Sequence, residues 1–573
     1  MKLKKINICN YRNLNGIQIR FHSQANFIVG ENNLGKSNFL SLLNIIFNWR
    51  SFKESDFFDL DEPIEIELQI SLDEIEKGHF ADLFSPDDSD SISISAIQNS
   101  PYENIIFSHT ESKTSISPKL LREVNFIYYD SLRNPNNELT FDKKRGVGKF
   151  LNHLYTKYLE NSETEDIDFI DKAELGELLQ FINDLLIKIK AFKDFSISAN
   201  TDNDARNLLA RIICLKDDRD FNLQQSGYGV QYISLICLTI FEKLISRLHA
   251  KKKNYFEDKK GKKYSSIILG LDEPEIHLHP YMQRSIVKYL LKIVENKDDD
   301  FIELLSSLFT IDGLLGQIII CTHSPSILLS SYKQIIRFYK DNNNNLLVKC
   351  GSELNLPTNL EKQLNKNMPY VKESFFSKCV ILVEGDTEIG AFPEFAETLG
   401  IDLDGNGISI IQAGSADSIP PLMKLLNKFG ILNIGVMDQD KKNDKYEKIK
   451  NLYFTEQYDF ENDVVNTCFE NEEKDVLLRL IEDNDSKGKE RAIEKDKINS
   501  TIKKYDLELD EIDDNYDFNV DDSTILYSVI LAWLDINKSI ILGKLIGEVL
   551  SEGNIPNIYK KVLKAAERMS RNV

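Results

Sequence analysis

Apolar runs alternate with helical patterns along most of the chain. The runs "NFIVG", "SSIILGLD" and "GQIIIC" in the first 340 residues each lead into polar or glycine-containing segments. Continuous apolar runs of this kind are typical of parallel strands buried on both faces. A second series begins near 380, with a strand at 380–383, a helix at about 388–399 and the further strands "GISIIQAGS" and "ILNIGVM". This alternation predicts an α/β fold with a parallel sheet in each part.

An asparagine-rich break at 341–345 separates the two series, and we predict two domains, 1–370 and 371–573. In the first, apolar residues recur every three or four positions between Leu175 and Ile189, which indicates an amphipathic helix. We place it in a helical insertion at about 146–205, which packs on a partner helix within the chain or across a dimer. In the second, about 469–525 is rich in Glu, Asp and Lys and is interpreted as a charged insertion before C-terminal helices.

Composition narrows the class of protein without naming a partner. The 573 residues include seven scattered cysteines with no CxxC pair, which favours a reducing, cytoplasmic location over a disulfide framework or a zinc module. No 18-residue apolar run or signal peptide is evident, so we expect no membrane association. The net charge of −21 counts against non-specific binding of nucleic acid, but basic clusters such as 251–263 leave a local nucleic-acid surface open.

The strand "NFIVG" is followed by G-x-x-x-x-G-K-S and then by an apolar helix, which is the context that a phosphate-binding loop requires. Backbone N–H groups of such a loop wrap a phosphate at the positive end of the helix. Lys36 would reach the β- and γ-phosphates of ATP, and the Ser37 hydroxyl would ligate Mg²⁺. The residues that we assign to ATP binding here are Gly30, Asn33, Gly35, Lys36, Ser37 and Asn38.

Two later strands end in residues that suit the same nucleotide. The apolar strand Ile267–Leu271 leads into Asp272 and Glu273. Asp272 can hold Mg²⁺ through water, and Glu273 can orient or deprotonate the attacking water, because ligands bind at the carboxyl ends of parallel strands. The strand "GQIIIC" leads to His323, which can contact the γ-phosphate.

Between these segments, "SGYGVQ" opens a long apolar helix. A glycine-rich helix start is weak evidence alone, but the order of the four segments resembles the ABC-type ATPase family, particularly its chromosome-maintenance and recombination branch. The resemblance implies an ABC-type ATPase domain over 1–370 and ATP-dependent association of two heads. It also implies that Ser226, Gly227 and Gln231 contact nucleotide bound by a second subunit.

Carboxylates cluster at the predicted strand ends of the second domain. Glu384 and Glu388 follow the first strand, and Asp438 and Asp440 follow the third. Carboxylates gathered in this way repel one another unless cations lie between them, and hard oxygen ligands favour Mg²⁺ or Mn²⁺. Two such ions can activate water and stabilise the leaving oxygen of a phosphodiester. The alternative is that these are solvated loop acids of an acidic protein.

E-G-x-x-E followed by D-x-D is similar to the Toprim domain, and an ABC-type ATPase ahead of a Toprim domain resembles the OLD (overcoming lysogenization defect) family of nucleases. That family includes the ATPase–nuclease subunit of the Gabija phage-defence system and relatives attached to retrons. The resemblance implies metal binding by Glu384, Asp438 and Asp440, with Glu388 in support. It adds Asp459, Glu461 and Asp463 as ligands of a second metal, and Lys544, with Lys538 as fallback, as the lysine that stabilises the transition state.

The resemblance implies a nucleotide-gated, Mg²⁺- or Mn²⁺-dependent DNA endonuclease or nickase in anti-phage defence. It also implies a homodimer or dimer of dimers, with a helicase or a retron RNA/DNA as partner. Two other functions stay open. One is a DNA repair or clamp ATPase whose Toprim domain only docks, and the other is a Toprim ribonuclease that acts on RNA such as tRNA. Cleavage assays on plasmid and tRNA separate the three.

Overall fold

The computed structural model of the chain describes most of both predicted domains. It divides into two units, the first formed by Met1–Tyr339 and Leu346–Glu353 and the second by Lys340–Asn345 and Leu354–Val573. The described residues are 1–49, 51–80, 88, 90–121, 124–130, 150, 153–154, 157, 172–189, 197–201, 213–217, 227–249, 255–276, 278–329, 331–341, 343–356, 358, 361, 371–484 and 492–571.

The first part of the chain mixes strands and helices. Its strands are β1 Lys2–Cys9, β2 Ile17–Arg20, β3 Ala25–Val29, β4 Ile64–Ser71, β5 Ser91–Gln98, β6 Ile106–His109, β7 Asn125–Tyr129, β8 Ile197–Thr201, β9 Ile213–Asp217, β10 Phe256–Glu257, β11 Lys263–Asp272, β12 Gly313–Cys321, β13 Ile335–Lys340 and β14 Leu346–Cys350. Its helices are α1 Lys36–Asn48, α2 Pro118–Leu121, α3 Lys172–Leu186, α4 Tyr228–His249, α5 Pro280–Val294 and α6 Asp299–Phe309.

Two sheets carry the described core of this unit. An antiparallel sheet has the order β2-β1-β4-β5-β6, and in β4 buried and more exposed residues alternate because one face meets the core. The larger sheet has the order β10-β11-β12-β3-β13-β14, and β7 also pairs with β11. Within it β7, β11, β12, β3 and β13 pair in parallel, and β3 is buried along its whole length.

The parallel register brings the predicted nucleotide segments to one edge of this sheet. Asp272 pairs with Cys321, and Cys321 pairs with Ile28, so β11, β12 and β3 end at the same level. The phosphate loop, Glu273 and His323 follow directly after these strand ends. Parallel strands of consecutive βα units leave their carboxyl ends together, which is why segments about 240 and 290 residues apart in sequence meet here.

The second unit is built around a smaller sheet. Its strands are β15 Cys379–Val383, β16 Ile408–Gln412, β17 Leu432–Met437 and β18 Leu452–Phe454. Its helices are α7 Asp386–Thr398, α8 Ile419–Lys428, α9 Phe460–Glu470, α10 Lys474–Asn484, α11 Lys495–Tyr505, α12 Ser523–Ile536, α13 Ile540–Val549 and α14 Asn557–Arg571. The sheet order is β16-β15-β17-β18, and every pair in it is parallel. The predicted α/β fold class is confirmed.

The charged segment 469–525 contributes to the core of this unit. Ile481 of α10 and Ile498 of α11 are buried in the same hydrophobic cluster as Ile381 of β15. Amphipathic helices with many surface charges bury only one stripe, so a high content of Glu and Lys does not exclude a place in the core. Most of the predicted helical insertion at 146–205 lies outside the described residues.

Among the described segments, no helix is both long enough and apolar enough to cross a bilayer.

Candidate functional site

The phosphate loop lies between β3 and α1, and two of its positions require glycine because a side chain would not fit there. Gly30 has a φ of 139°, and a Cβ at this position would lie 2.2 Å from the carbonyl oxygen of Phe338. Gly35, which precedes α1, has a φ of 92°, and a Cβ there would lie 2.6 Å from the Asn13 side chain. Residues with a side chain would clash at both positions and rarely adopt these dihedrals. The backbone therefore turns sharply into the N-terminus of α1.

Lys36 and Ser37 are held in place by the protein itself. The Lys36 ammonium donates hydrogen bonds to the carbonyl oxygens of Gly30 at 2.8 Å and Glu31 at 2.5 Å. Burial lowers the pKa of Lys36. The Ser37 hydroxyl donates to Asp272 Oδ1 at 3.1 Å, which brings together the two predicted Mg²⁺ ligands of the ATPase domain.

A cavity of about 440 Å³ opens at this loop. Its lining includes most of the predicted nucleotide contacts, namely Asn33, Gly35, Lys36, Ser37, Asn38, Glu273 and His323. Open space bounded by a helix N-terminus, a lysine and a hydroxyl suits a phosphate chain. The residues present therefore fit a nucleotide.

The acids after β11 occupy distinct positions. Burial raises the pKa of Asp272 to about 6, because few groups replace the water that its carboxylate loses. Glu273 has a φ of 47°, a conformation that non-glycine residues seldom adopt outside strained or functional positions. Its carboxylate lies 3.4 Å from His323 Nε2, so the residue predicted to orient or deprotonate the attacking water faces the residue predicted to contact the γ-phosphate.

Glu275 is a site residue that the sequence prediction missed. Its carboxylate accepts hydrogen bonds from the Thr322 hydroxyl at 2.7 Å and the His323 backbone N–H at 2.6 Å. It therefore ties the end of β11 to the end of β12 and fixes the position of His323. Its place three residues after Asp272, within "DEPE", was the available signal.

The predicted signature segment is only partly described. Ser226 lies outside the described residues. Gly227 is exposed just before α4, and Gln231 is buried within that helix. The structure places neither of them in the lining of the phosphate cavity of the same chain. Their proposed action on nucleotide bound by a second subunit stays a prediction.

In the second unit the carboxylates gather at the carboxyl edge of the sheet. Glu384 follows β15 and Asp438 follows β17, and the Asp438 backbone N–H donates to Glu384 Oε1 at 2.8 Å. Glu388, in the first turn of α7, is only 7% exposed. Adjacent parallel strands place Glu384 and Asp438 side by side, and the helix that follows β15 brings Glu388 over them.

Burial and mutual repulsion hold these three groups far from their usual ionisation. Burial, followed by the charges of Glu384 and Glu388, raises the pKa of Asp438 to about 9. Burial and the charge of Glu461 raise the pKa of Glu388 to about 7, and burial also raises that of Glu384. We name Glu384, Glu388 and Asp438 the carboxylate triad.

Asp459 and Glu461, at the start of α9, have cations beside them instead. The Lys538 ammonium lies 2.6 Å from Glu461 Oε2 and 3.3 Å from Asp459 Oδ2. The Lys504 ammonium lies 3.1 Å from the same Asp459 oxygen. Burial opposes the charge on Lys538, but Glu461 and Asp459 outweigh that effect and raise its pKa.

The remaining predicted residues lie at the margin of this arrangement. Asp440 pairs with Lys441 at 2.6 Å. Asp463 accepts hydrogen bonds from two backbone N–H groups, of Glu456 and Gln457, and from the Tyr559 hydroxyl at 2.9 Å. These bonds occupy both oxygens of Asp463 and give it a structural role in holding the turn before α9.

Lys538 and Lys544 have different surroundings. Lys544 lies on α13, its side chain is 58% exposed, and its ion pair is with Glu548 at 3.5 Å. Lys538, the fallback in the sequence prediction, lies at the end of α12 and contacts Asp459 and Glu461. The structure therefore brings Lys538, and not Lys544, to the predicted metal ligands.

Lys504, Tyr505 and Asp535 were not foreseen. The Tyr505 hydroxyl donates to Asp459 Oδ2 at 2.8 Å, and the Lys504 ammonium lies 2.8 Å from Asp535 Oδ1. Lys504 and Tyr505 end α11 within the segment interpreted as an insertion. The apolar stripe of α11 was the signal that this segment returns to the site. We name Asp459, Glu461, Lys504, Asp535 and Lys538 the ion-pair network.

The carboxylate triad has the donor set of a divalent-cation site. Within the described residues, the Asp438 carboxylate accepts no hydrogen bond and has no cation beside it, although four other carboxylates act on it. A hard cation would relieve that repulsion, so the residues fit Mg²⁺ or Mn²⁺. Among the described residues, no group of three or more His, Cys, Asp or Glu side chains is arranged to hold a metal ion, so binding by the triad requires these side chains to move.

Two family models match this chain. One is described as an AAA ATPase domain and matches residues 1–171 and 119–328, which together span more than half of the chain. The other is described as the Toprim domain of overcoming-lysogenization-defect-like proteins and matches residues 375–440. The chain therefore has an AAA ATPase domain, and its Toprim region resembles that of OLD-like proteins. This result confirms the resemblance found in the sequence, an ATPase domain ahead of a Toprim domain.

Several proteins similar to this chain carry nuclease names. It is 24% identical over 298 residues to the Old nuclease of Escherichia phage P2, covering 50% of this chain and 44% of that protein. It is 24% identical over 492 residues to Endonuclease GajA of Bacillus cereus strain VD045, covering 78% of this chain and 76% of that protein. The match thus spans less than half the length of the phage protein.

A solved structure, the C-terminal region of the Burkholderia pseudomallei OLD protein, is also similar. It shares 18% identity with a TM-score of 0.24, and the match covers 34% of this chain and 99% of that one.

Proposed function

We propose that this chain is a nucleotide-gated, divalent-metal-dependent DNA endonuclease or nickase of the OLD type that acts in anti-phage defence. The carboxylate triad is the observation that carries the proposal. Glu384 and Asp438 follow adjacent strands, and the buried Glu388 lies in the first turn of α7. Burial, together with the charges of neighbouring carboxylates, raises the pKa of Asp438 to about 9. A protein keeps such a costly arrangement where a cation is to bind.

Metal ions bound by the triad and by Asp440 would lower the pKa of a water molecule and stabilise the leaving oxygen of a phosphodiester. The protein supplies the remaining functions. Lys538, held 2.6 Å from Glu461, places a permanent positive charge beside the triad, where negative charge develops on the phosphorus oxygens. Asp459 and Glu461 form ion pairs with that lysine and add two further carboxylates next to the triad.

The ATPase unit supports nucleotide gating. Lys36, Ser37 and Asp272 are already positioned around the phosphate cavity, and Glu273 and His323 face each other across its edge. The strained backbone of Glu273 lets a bound γ-phosphate change the local conformation. We propose that nucleotide restrains cleavage until its concentration falls, through association of two chains.

The decisive experiment incubates the full chain with supercoiled plasmid and Mg²⁺ or Mn²⁺, with and without ATP. We expect nicked or linear product from the parent protein and none from Glu384→Ala, while the surface variant Glu552→Ala, at an exposed acid, cuts normally. Lys36→Ala should cut but lose its response to ATP. If Glu384→Ala cuts as well as the parent, this site is not the nuclease site. Cleavage of tRNA but not plasmid would move the substrate to RNA.

A further inference from the structure

A groove of about 860 Å³ lies in the second unit, and its lining includes no residue of the carboxylate triad. One wall is α8, and the other is the segment 441–451 that joins β17 to β18. Its lining includes Asp417, Met423, Lys424, Lys428, Lys445 and Tyr446, and we name it the lysine groove. Neither the sequence motifs nor the proposed chemistry uses these residues.

The groove begins beside the proposed nuclease site. Its second wall starts three residues after Asp438, directly behind the D-x-D motif. Asp417, at its inner end, is close enough for its charge to act on Glu384. The Tyr446 hydroxyl donates to Asp417 Oδ1 at 3.4 Å, which joins the two walls at this end. From there α8 runs for ten residues, about 15 Å, away from the triad.

The cations of the groove lack acidic partners. Among the described residues, Lys424, Lys428 and Lys445 form no ion pair, whereas the neighbouring Lys441 pairs with Asp440 at 2.6 Å and Lys442 with Glu447 at 3.3 Å. This is notable in a chain of net charge −21, where acids are abundant. Three uncompensated ammonium groups along one groove give a local positive track.

Between the lysines the groove is apolar and aromatic. Pro420, Pro421, Met423 and Ile449 contribute carbon surface, and the half-buried Tyr446 ring lies 5.5 Å from the Lys445 ammonium. Grooves that bind single-stranded nucleic acid combine a cationic path for the backbone with aromatic rings on which bases stack. A path for an acidic peptide needs the charges but not the ring.

We propose that the lysine groove binds one strand of the nucleic-acid substrate next to the phosphate that is cut. Lys424, Lys428 and Lys445 contact its phosphates, and Tyr446 stacks on a base. The inference rests on the proposed nuclease function for its position in the reaction, but the binding itself is a separate property. It explains how an acidic protein holds a polyanion beside its own carboxylates, since the groove supplies the local charge that the whole chain lacks.

The test measures binding by fluorescence anisotropy without divalent metal, in the Glu384→Ala background, with a labelled single-stranded DNA of about 20 nucleotides. The variant is Lys424→Glu with Lys428→Glu. The control is Lys560→Glu with Lys564→Glu on α14, which has the same spacing and charge change. We expect the groove pair to raise Kd by at least ~10-fold and to reduce the salt slope by about 1.4, since each lost phosphate contact contributes ~0.7. The control pair should stay within about twofold of the parent.

A second pair of variants isolates the ring. Tyr446→Ala should weaken binding by about tenfold, and Tyr446→Phe should keep most of it, since stacking does not need the hydroxyl. Equal loss in Tyr446→Phe would contradict stacking and assign the residue to holding Asp417. Circular dichroism melts confirm that each variant folds, which is expected because the two substituted lysines of α8 project from its surface.

Other outcomes overturn the inference in distinguishable ways. Equal weakening by the groove and control pairs would show a general charge effect. Duplex binding without single-strand binding would reject the proposed occupant, and displacement of DNA by polyglutamate from the parent but not from the groove variant would indicate an acidic protein partner. A labelled RNA arm reports whether the sugar matters, and binding to RNA alone would reject DNA. If Glu384→Ala still cuts plasmid, the nuclease proposal fails while the binding contrast stands.

Discussion

The phosphate loop of the first unit and the carboxylate triad of the second both follow parallel strands, but they balance their charges differently. In the first, Lys36 is held by carbonyl oxygens and the Asp272 carboxylate by the Ser37 hydroxyl, so each charged group has a partner before a ligand arrives. In the second, Asp438 has carboxylate neighbours and no balancing cation in the described structure.

The contrast extends within the second unit itself. Asp459 and Glu461, whose charges act on Asp438, are balanced by Lys504 and Lys538. The described structure thus supplies cations beside Asp459 and Glu461 and none beside Asp438. Under the proposed function, a lack of internal counter-charge, rather than the number of acids, marks the place where a metal binds.

The largest expected effect comes from removing the uncompensated charge. Asp438→Asn should reduce metal-dependent cleavage by about 10³-fold, because a ligand is lost. It should also raise the melting temperature of the metal-free protein, because burial and neighbouring carboxylates disfavour the charged form of Asp438, whose pKa they raise to about 9, and asparagine carries no charge. Plasmid cleavage and thermal melts measure the two effects. An equal rise in Asp444→Asn, an exposed acid outside the triad, would contradict this explanation.

Lys538 belongs to the ion-pair network, whereas Lys544 lies on the exposed surface of α13, so variants of the two lysines should behave differently. Lys538→Ala should reduce cleavage by about 10²-fold. The substitution removes a partly buried positive charge beside the proposed position of the reacting phosphate, and it leaves the buried Glu461 without its ion pair. Lys544→Ala should change the rate by less than about twofold, because its partner Glu548 is half exposed. The reverse order of effects would return the catalytic lysine to position 544.

In the ATPase unit, replacement of Lys36 should weaken nucleotide binding without raising the stability of the nucleotide-free protein. Lys36→Ala should weaken ATP binding by about 30-fold, because charged hydrogen bonds to phosphate are lost. It should leave the melting temperature of the nucleotide-free protein nearly unchanged. Isothermal titration with ATP and Mg²⁺ measures the first effect. A higher melting temperature in this variant would show that this site is also uncompensated and would break the comparison.

Lys504 tests whether the charged segment 469–525 supports the site. Lys504→Met should destabilise the protein by roughly 1–2 kcal/mol, because Asp459 and Asp535 lose a partner that is itself one-third exposed. Lys504→Arg should restore most of that stability, and Lys503→Met, whose partner Glu511 is exposed, should cost almost nothing. Urea unfolding distinguishes them, and equal loss in both Met variants would reject the assignment.

The smallest effect is the pH dependence of the metal-free protein. A carboxyl group with a raised folded-state pKa contributes stability below its unfolded pKa, about 4, and loses it as pH rises through the folded value. For Glu388 and Asp438 those values are about 7 and about 9, so the melting temperature should fall by a few degrees between roughly pH 5 and 9. Mg²⁺ should flatten the profile, and Asp438→Asn should remove most of it.

Much of the fold was readable because its signals are local. Buried parallel strands such as β3 and β15 are continuous apolar runs, and the phosphate loop lies in one uninterrupted segment. Element bounds were less exact: α7 begins at Asp386, not near 388, and β11 begins at Lys263, four residues before the predicted strand. Both elements begin with a charged residue, Asp386 in α7 and Lys263 in β11, and the apolar pattern used for the prediction does not extend to these residues.

By itself the sequence determined the α/β class, the nucleotide loop and the acids at strand ends, since each depends on the order of neighbouring residues. Only the tertiary structure decided which cations reach those acids. Lys504 meets Asp459 across 45 residues, and Tyr559 meets Asp463 across 96. Such pairings depend on how helices pack on the sheet, because a salt bridge or hydrogen bond between distant segments leaves no periodic pattern in the chain.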